Sequence, residues 1–151
     1  MEYIFPMTIE ESMSAADRVK AFMWACIAPV FPHLRDGLLD LGLIRHGIRQ
    51  PFVLGRLAPG RSPDGLAAHV EQFGFVKHCI AWVDTDEVLG MRKRDDFHRQ
   101  YHLRVFTDGE IRGHYEWTPE SKPYEHLNDI GMEPRREEFL AFLGDWLIPS
   151  E

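Results

Sequence analysis

Arg112, His114 and Glu116 alternate along one short stretch of the chain. If this stretch is a β-strand, the three side chains lie in a row on one face, about 6–7 Å apart at successive positions. A histidine beside a carboxylate is the minimal general-base pair, because the carboxylate orients the ring and supports its charged form. An arginine next to the pair could bind a carboxylate or phosphate through two hydrogen bonds. His114 and Glu116 are therefore candidate catalytic residues, and Arg112 is a candidate ligand-binding residue.

The strand that carries these residues is predicted to be the second arm of a β-hairpin. Asp108-Gly109 suits a two-residue type I′ turn, in which both central positions need φ > 0. A turn at these two residues fixes the cross-strand pairs as Val105 with Arg112, Leu103 with His114, and Tyr101 with Glu116. The face of Arg112, His114 and Glu116 would then also carry Tyr101, a further candidate ligand-binding residue.

The other face of this hairpin is expected to be the buried one. It would carry His102 and Arg104 beside four apolar or aromatic side chains, Phe106, Ile111, Tyr115 and Trp117. This composition is the more apolar of the two, so we expect the helices to cover it. His102 and Arg104, which also count as candidate ligand-binding residues, would then need partners such as Asp145 or Glu137 on the last helix.

Eight histidines raise the question of a metal site. His98 and His102 would converge on a helix, but in the predicted strand they lie about 13 Å apart and cannot share an ion. No Cys-x-x-Cys pattern of a zinc site is present. A mixed site that draws on His102, His114 or His46 stays an alternative. The sequence assigns no metal ligand and identifies no cofactor.

Composition limits the classes of partner. The formal net charge is −7, from 17 Lys+Arg against 24 Asp+Glu, which makes nucleic acid an unlikely partner. The sequence shows neither a signal peptide nor an apolar run long enough to span a membrane, so we expect a soluble, cytoplasmic protein without membrane contact. Cys26 and Cys79 lie in apolar runs, and we expect both to be buried free thiols.

The pattern of elements predicts a single α+β domain over residues 1–151. An amphipathic helix capped at Thr8 is expected to reach about Ile27, and a shorter helix should follow over residues 33–41. Strands near 50–58, 78–83, 88–94, 98–107 and 110–117 should form an antiparallel meander of four to five strands, and the helix begun by Ser62-Pro63 separates the first of them from the rest. A C-terminal helix beginning at Pro134 should run through Trp146 and Leu147. We expect the helices to pack mainly on one sheet face.

Three functions fit these features. The leading hypothesis is a small binding or regulatory module that engages an anionic small molecule or an acidic protein segment through the polar sheet face. The second is a hydrolase- or lyase-type enzyme with His114 as general base and Glu116 orienting it. The third is a structural protein that forms a homodimer through the helix Ile9–Ile27, with Met13, Phe22, Met23 and Trp24 in the interface. The alternative to all three is that these polar side chains simply face solvent, as on many antiparallel sheets, and have no functional role.

Overall fold

The fold is an antiparallel sheet combined with helices, seen in a computed structural model that describes residues 8–43, 49, 51–77 and 84–151. Within these ranges the sheet has six strands and the chain forms six α-helices, so the predicted α+β class is confirmed. The expected number of four to five strands was too low. Two short strands, of two and three residues, carry too little periodicity to be found in the sequence.

The described chain contains the following helices and strands, numbered in sequence order. The helices are α1 (Ile9–Ser12), α2 (Ala15–Ile27), α3 (Phe31–Asp40), α4 (Pro63–Glu71), α5 (Pro123–Leu127) and α6 (Arg136–Leu143). The strands are β1 (Val53–Leu57), β2 (Val76–Lys77), β3 (Glu87–Arg94), β4 (Arg99–Phe106), β5 (Glu110–Trp117) and β6 (Leu147–Pro149). A single 3-10 turn, Gly144–Trp146, joins α6 to β6.

The sheet order is β2-β3-β4-β5-β1-β6, and every described pairing is antiparallel. Strands β3, β4 and β5 are neighbours in both sequence and space, as the predicted meander requires, and the unpredicted β2 pairs with β3. The strand expected at 78–83 lies outside the described residues, as does Cys79. Strand β1 pairs with β5, and β6 pairs with the other side of β1 and forms that edge of the sheet.

One face of the sheet holds the main hydrophobic core. Side chains from α4 and α6 pack there on alternate residues of the two central strands. Its fully buried members include Leu66 and Val70 of α4, Phe139 and Leu143 of α6, and Leu103 of β4. The start of α4 is as predicted, because the Ser62 side chain accepts a hydrogen bond from the Gly65 N–H at 3.1 Å and Pro63 occupies the first turn.

Two helices differ from the prediction at their ends. The long helix expected from Thr8 is broken after Ser12, because Ser14 and Asp17 form a second capping box that starts α2 afresh. The last helix ends at Leu143, where Gly144 has φ +50, and does not continue through Trp146. Leu147 lies instead in β6, opposite Leu57 of β1.

The helices α1, α2 and α3 contribute no residue to the main hydrophobic cluster of the described chain. This part of the chain exposes several large apolar side chains, namely Val19, Phe22, Met23, Ile27, Val30 and Leu34. Cys26 is also exposed, which corrects the expectation that it is buried. None of the described helices combines the length and apolar character needed to cross a membrane.

Candidate functional site

The hairpin between β4 and β5 turns through three residues, not the predicted two. The Gly109 N–H donates to the Phe106 carbonyl at 2.9 Å, and Gly109 has φ +81, while Asp108 is not among the residues of positive φ. This is a type I turn followed by a left-handed glycine, the usual three-residue hairpin loop. The Asp108 carboxylate also accepts the Glu110 N–H at 3.1 Å and so holds the loop in this form.

The longer loop shifts the strand register by one residue. His102 lies opposite His114, Gln100 opposite Glu116, and Arg104 opposite Arg112. Residues directly opposite each other share a face, so the predicted pairing of Leu103 with His114 and of Tyr101 with Glu116 was wrong. Arg112, His114 and Glu116 do lie in a row on one face, as predicted.

The contents of the two faces change accordingly. Tyr101 belongs to the face covered by α4 and α6, where its ring centroid lies 4.8 Å from that of Tyr115 and 5.5 Å from that of Phe139. Its predicted place beside Arg112 is therefore corrected. The face that carries His102, Arg104, His114 and Glu116 is opposite the α4–α6 core, so the expectation that helices bury His102 and Arg104 together with Ile111 and Tyr115 was also wrong.

His102, His114 and Glu116 form the centre of the site, which we name the His–Glu cluster. The Nδ1 atom of His102 lies 3.3 Å from Glu116 Oε1, and Nε2 of His114 lies 3.2 Å from Glu116 Oε2. The two imidazole centroids are 5.1 Å apart and the rings are steeply tilted. All three side chains are almost completely buried.

Two further side chains hold the Glu116 carboxylate. The Gln100 amide donates to Oε1 at 2.9 Å from the opposite position on β4. His126 of α5 brings Nδ1 within 3.3 Å of Oε2 and within 3.0 Å of the Trp117 carbonyl. Helix α5 therefore covers the Glu116 end of this face. Neither Gln100 nor His126 was identified from the sequence. Gln100 could have been found from its position two residues before His102, which places both side chains on the same face of the strand. No sequence pattern indicated His126.

The protonation states of the cluster follow from burial and neighbouring charges. Burial alone would raise the pKa of Glu116, but attraction to His126 and His114 holds that pKa well below its usual value. Burial tends to lower the pKa of His126, and the Glu116 charge outweighs it and raises that pKa overall. Burial, together with the charge of Arg104, lowers the pKa of His102 to about 3. At neutral pH an ionised carboxylate therefore faces a neutral imidazole.

The His–Glu cluster has the ligand set and spacing of a divalent metal site. One ligand atom from each of the three residues lies within 4.8 Å of the other two. A tetrahedral zinc ion with bonds of about 2.0–2.2 Å needs ligand atoms about 3.3–3.5 Å apart, close to the separations to Glu116. Nε2 of His114 is buried and has no hydrogen-bond partner among the described residues, although Glu116 is near, so this nitrogen is available as a ligand.

The arginines proposed as ligand anchors are paired within the protein. The buried Arg104 guanidinium contacts Asp84 at 2.8 Å and Glu87 at 3.4 Å, so its partners are these acids and not Asp145 or Glu137. Arg112 contacts Glu110 at 2.6 Å. The roles of Arg104 and Arg112 in binding a ligand stay predictions, and their charges are already matched by acids in the structure.

Comparisons of the chain with protein-family models, with curated proteins and with solved structures gave no significant match.

Proposed function

We propose that this protein binds one divalent transition-metal ion, of the zinc or ferrous iron type, through His102, His114 and Glu116. The observation that carries the proposal is the mutual approach of the three ligand atoms, all within 4.8 Å, at buried positions. Two imidazoles and one carboxylate form a donor set that suits both ions. Three protein ligands leave a coordination position for water or a substrate, as in catalytic sites.

The surroundings of the cluster support the same function. Ligating carboxylates are commonly oriented by hydrogen bonds from outer residues, and Gln100 supplies such a bond to Glu116 at 2.9 Å. His102 is neutral over the physiological range because of its lowered pKa, so a metal would displace no proton from it. A divalent ion would also offset the cost of burying the Glu116 charge.

Zinc binding by the chelator-treated protein tests the proposal. We expect equilibrium dialysis to give one bound zinc per chain, and saturating zinc to raise the melting temperature by roughly 5–10 °C. His114→Gln and Glu116→Gln should lose this stoichiometric binding. His33→Gln removes an exposed histidine outside the cluster and should bind zinc like the wild type. Undiminished binding by both cluster variants would overturn the proposal.

The second candidate is a metal-free enzyme in which His114 acts as general base and Glu116 orients it. The 3.2 Å contact between His114 Nε2 and Glu116 Oε2 favours this alternative, since it joins a base to an ionised carboxylate. Hydrolysis of chromogenic esters and phosphate esters separates the two candidates. Activity that survives a chelator and disappears in His114→Gln would favour the metal-free enzyme, and activity restored only by zinc would favour the metal site.

A further inference from the structure

Arg94, the last residue of β3, lies on the same sheet face as the His–Glu cluster, and no acid among the described residues forms an ion pair with it. Its Nε and Nη2 atoms are buried, and neither has a hydrogen-bond partner among the described residues. Its guanidinium carbon lies 5.7 Å from the ring centroid of Phe97, a residue that is 2 % exposed. Arg94 as a whole is half-buried, and the buried edge of its guanidinium is costly without a hydrogen-bond acceptor, which an anion would supply.

In the described part of the chain, the neighbouring polar groups form no hydrogen bond with Nε or Nη2 of Arg94. Gln100 lies opposite Arg94, but its amide nitrogen donates to Glu116 and its oxygen lies 3.5 Å from Arg92. Glu120 contacts Arg92 at 3.4 Å through Oε1, while its Oε2 is buried without a hydrogen-bond partner in the described chain. Glu120 is therefore shared with Arg92, and Gln100 with Glu116 and Arg92.

The acids that follow Arg94 in sequence are also engaged. Asp95 accepts the Tyr115 hydroxyl at 2.8 Å. Asp96 accepts the backbone N–H groups of His98 and Arg99 at 2.6 and 2.7 Å. Both aspartates are exposed, so they do not neutralise a buried charge at full strength.

The two unpartnered atoms belong to one edge of the guanidinium. Nε and Nη2 carry parallel N–H groups whose spacing matches the two oxygens of a carboxylate or phosphate. We infer that Arg94 binds the oxyanion group of a small-molecule ligand through this edge. In the sheet Arg94, Gln100 and Glu116 form one cross-strand row, so Arg94 and Glu116 are two strand spacings, or about 10 Å, apart. A ligand held by Arg94 would lie along the face that carries the His–Glu cluster.

The test uses the full chain after a chelator has removed bound metal and dialysis has removed the chelator, so that its result does not depend on metal binding. Inorganic phosphate and malonate serve as separate probes, titrated by calorimetry in an otherwise anion-poor buffer. We expect at least one of them to bind the wild type with a stoichiometry of one, and Arg94→Lys to weaken binding tenfold or more, because lysine cannot form the paired hydrogen bonds. Arg61→Gln, which removes a more exposed arginine outside this face, should leave binding unchanged. Preference for phosphate or malonate would identify the oxyanion.

Melting temperatures of Arg94→Met separate a ligand anchor from a structural arginine. Without probe anions, this variant should melt at or above the wild-type temperature, because a buried guanidinium edge without a hydrogen-bond partner is removed. The better-binding probe should then raise the wild-type melting temperature and leave that of Arg94→Met unchanged. A variant that melts lower than the wild type without anions would indicate that Arg94 pairs with Glu120, which would overturn the inference. Failure of both probes to bind the wild type would overturn it too.

Discussion

His102 and His114 face each other directly across strands β4 and β5, and both approach the carboxylate of Glu116. This relationship exists only because the hairpin loop has three residues. With a two-residue loop, His114 would face Leu103 and the two imidazoles would point to opposite sides of the sheet. The length of one tight turn therefore decides whether the ligand set of the proposed metal site can assemble.

The first prediction concerns the glycine of that turn. Gly109 has φ +81, a left-handed conformation that is strained for a β-branched residue. Gly109→Val should lower the free energy of unfolding by about 1–3 kcal/mol, measured by urea denaturation. Gly109→Asn should cost less, because asparagine tolerates this conformation. Equal losses for the two variants would contradict the account of the turn.

The second prediction concerns Gly113, which lies between Arg112 and His114 in sequence but on the opposite face of the sheet, the one covered by α4 and α6. A Cβ atom there would come within 2.8 Å of Phe139 Cε1 and 2.9 Å of Leu54 Cδ1. We expect Gly113→Val to lower the free energy of unfolding by about 1–3 kcal/mol through overpacking, as measured in urea. Gly37→Ala is the control, since nothing lies within 4 Å of its Cβ and helix propensity favours alanine. A Gly113→Val protein as stable as wild type would contradict the prediction, because it would show that the packing of α6 on the sheet adjusts to the larger side chain without cost.

The third prediction concerns a buried ion pair on the cluster's face. Asp84 and Arg104 meet at 2.8 Å with side chains 3 % exposed. Asp84→Asn leaves the Arg104 charge poorly matched, and it should cost about 3–5 kcal/mol of unfolding free energy. The control is Asp145→Asn, because Asp145 is 95 % exposed and 3.9 Å from Arg61. That change should cost less than about 1 kcal/mol. Chemical denaturation that gives the two variants similar losses would contradict this ranking.

The fourth prediction is a loss of stability on acidification of the metal-free protein. The pKa of His102 is about 3 in the folded state, against an ordinary value of 6.5. Between these pH values His102 is protonated in the unfolded chain but neutral in the folded chain. The contribution of His102 to the free energy of unfolding is therefore fully present above pH 6.5 and is lost as the pH falls towards 3. Glu116, with its lowered pKa, acts in the same direction below pH 4.5.

His126 contributes with the opposite sign. Its raised pKa gives stability that is present below pH 6.5 and is lost as the pH rises through the folded-state value. Free energies of unfolding, obtained by urea denaturation from pH 4 to 8, should show the acid-side loss, with a slope of up to about 1.4 kcal/mol per pH unit for each titrating group. His102→Gln should flatten this slope. An unchanged slope in that variant would show that other groups govern the acid lability.

The fifth prediction concerns self-association through α2. Phe22 and Met23 are 71 % and 56 % exposed, and Val19 lies one turn earlier on the same helix. If α2 forms the homodimer interface, light scattering should give twice the monomer mass, and Met23→Glu should reduce it to the monomer mass. Lys20→Glu, a change at an exposed polar position of the same helix, is the matched control and should stay dimeric. A monomeric wild type would end the homodimer hypothesis.

The sequence predicted the hairpin but not its register, and the reason is physical. Asp108-Gly109 is compatible with both two-residue and three-residue loops. Hydrophobic alternation usually decides between registers, because one face is apolar and the other solvated. In β4 this signal is missing, since His102 and Arg104 are as deeply buried as Leu103 and Val105. Both faces of the strand are covered, and the pattern does not show which side meets the helices.

The elements that were predicted correctly carry local signals. Ser62-Pro63 fixes the start of α4 through a cap and a proline in the first turn, and both operate within three residues. The candidate site depends instead on long-range contacts. His126 reaches Glu116 from a five-residue helix, and Asp84 reaches Arg104 across the sheet. Such contacts follow from the register and the chain path, which short sequence patterns do not encode.

The most direct measurement of the central claim is an anomalous difference map, collected at the zinc absorption edge from crystals grown with zinc. The account predicts one strong peak bounded by His102 Nδ1, His114 Nε2 and the Glu116 carboxylate, with bonds of about 2.0–2.2 Å. The peak should be absent in crystals of His114→Gln. A map without a peak at the His–Glu cluster, or with peaks only at exposed residues such as His33, would contradict it.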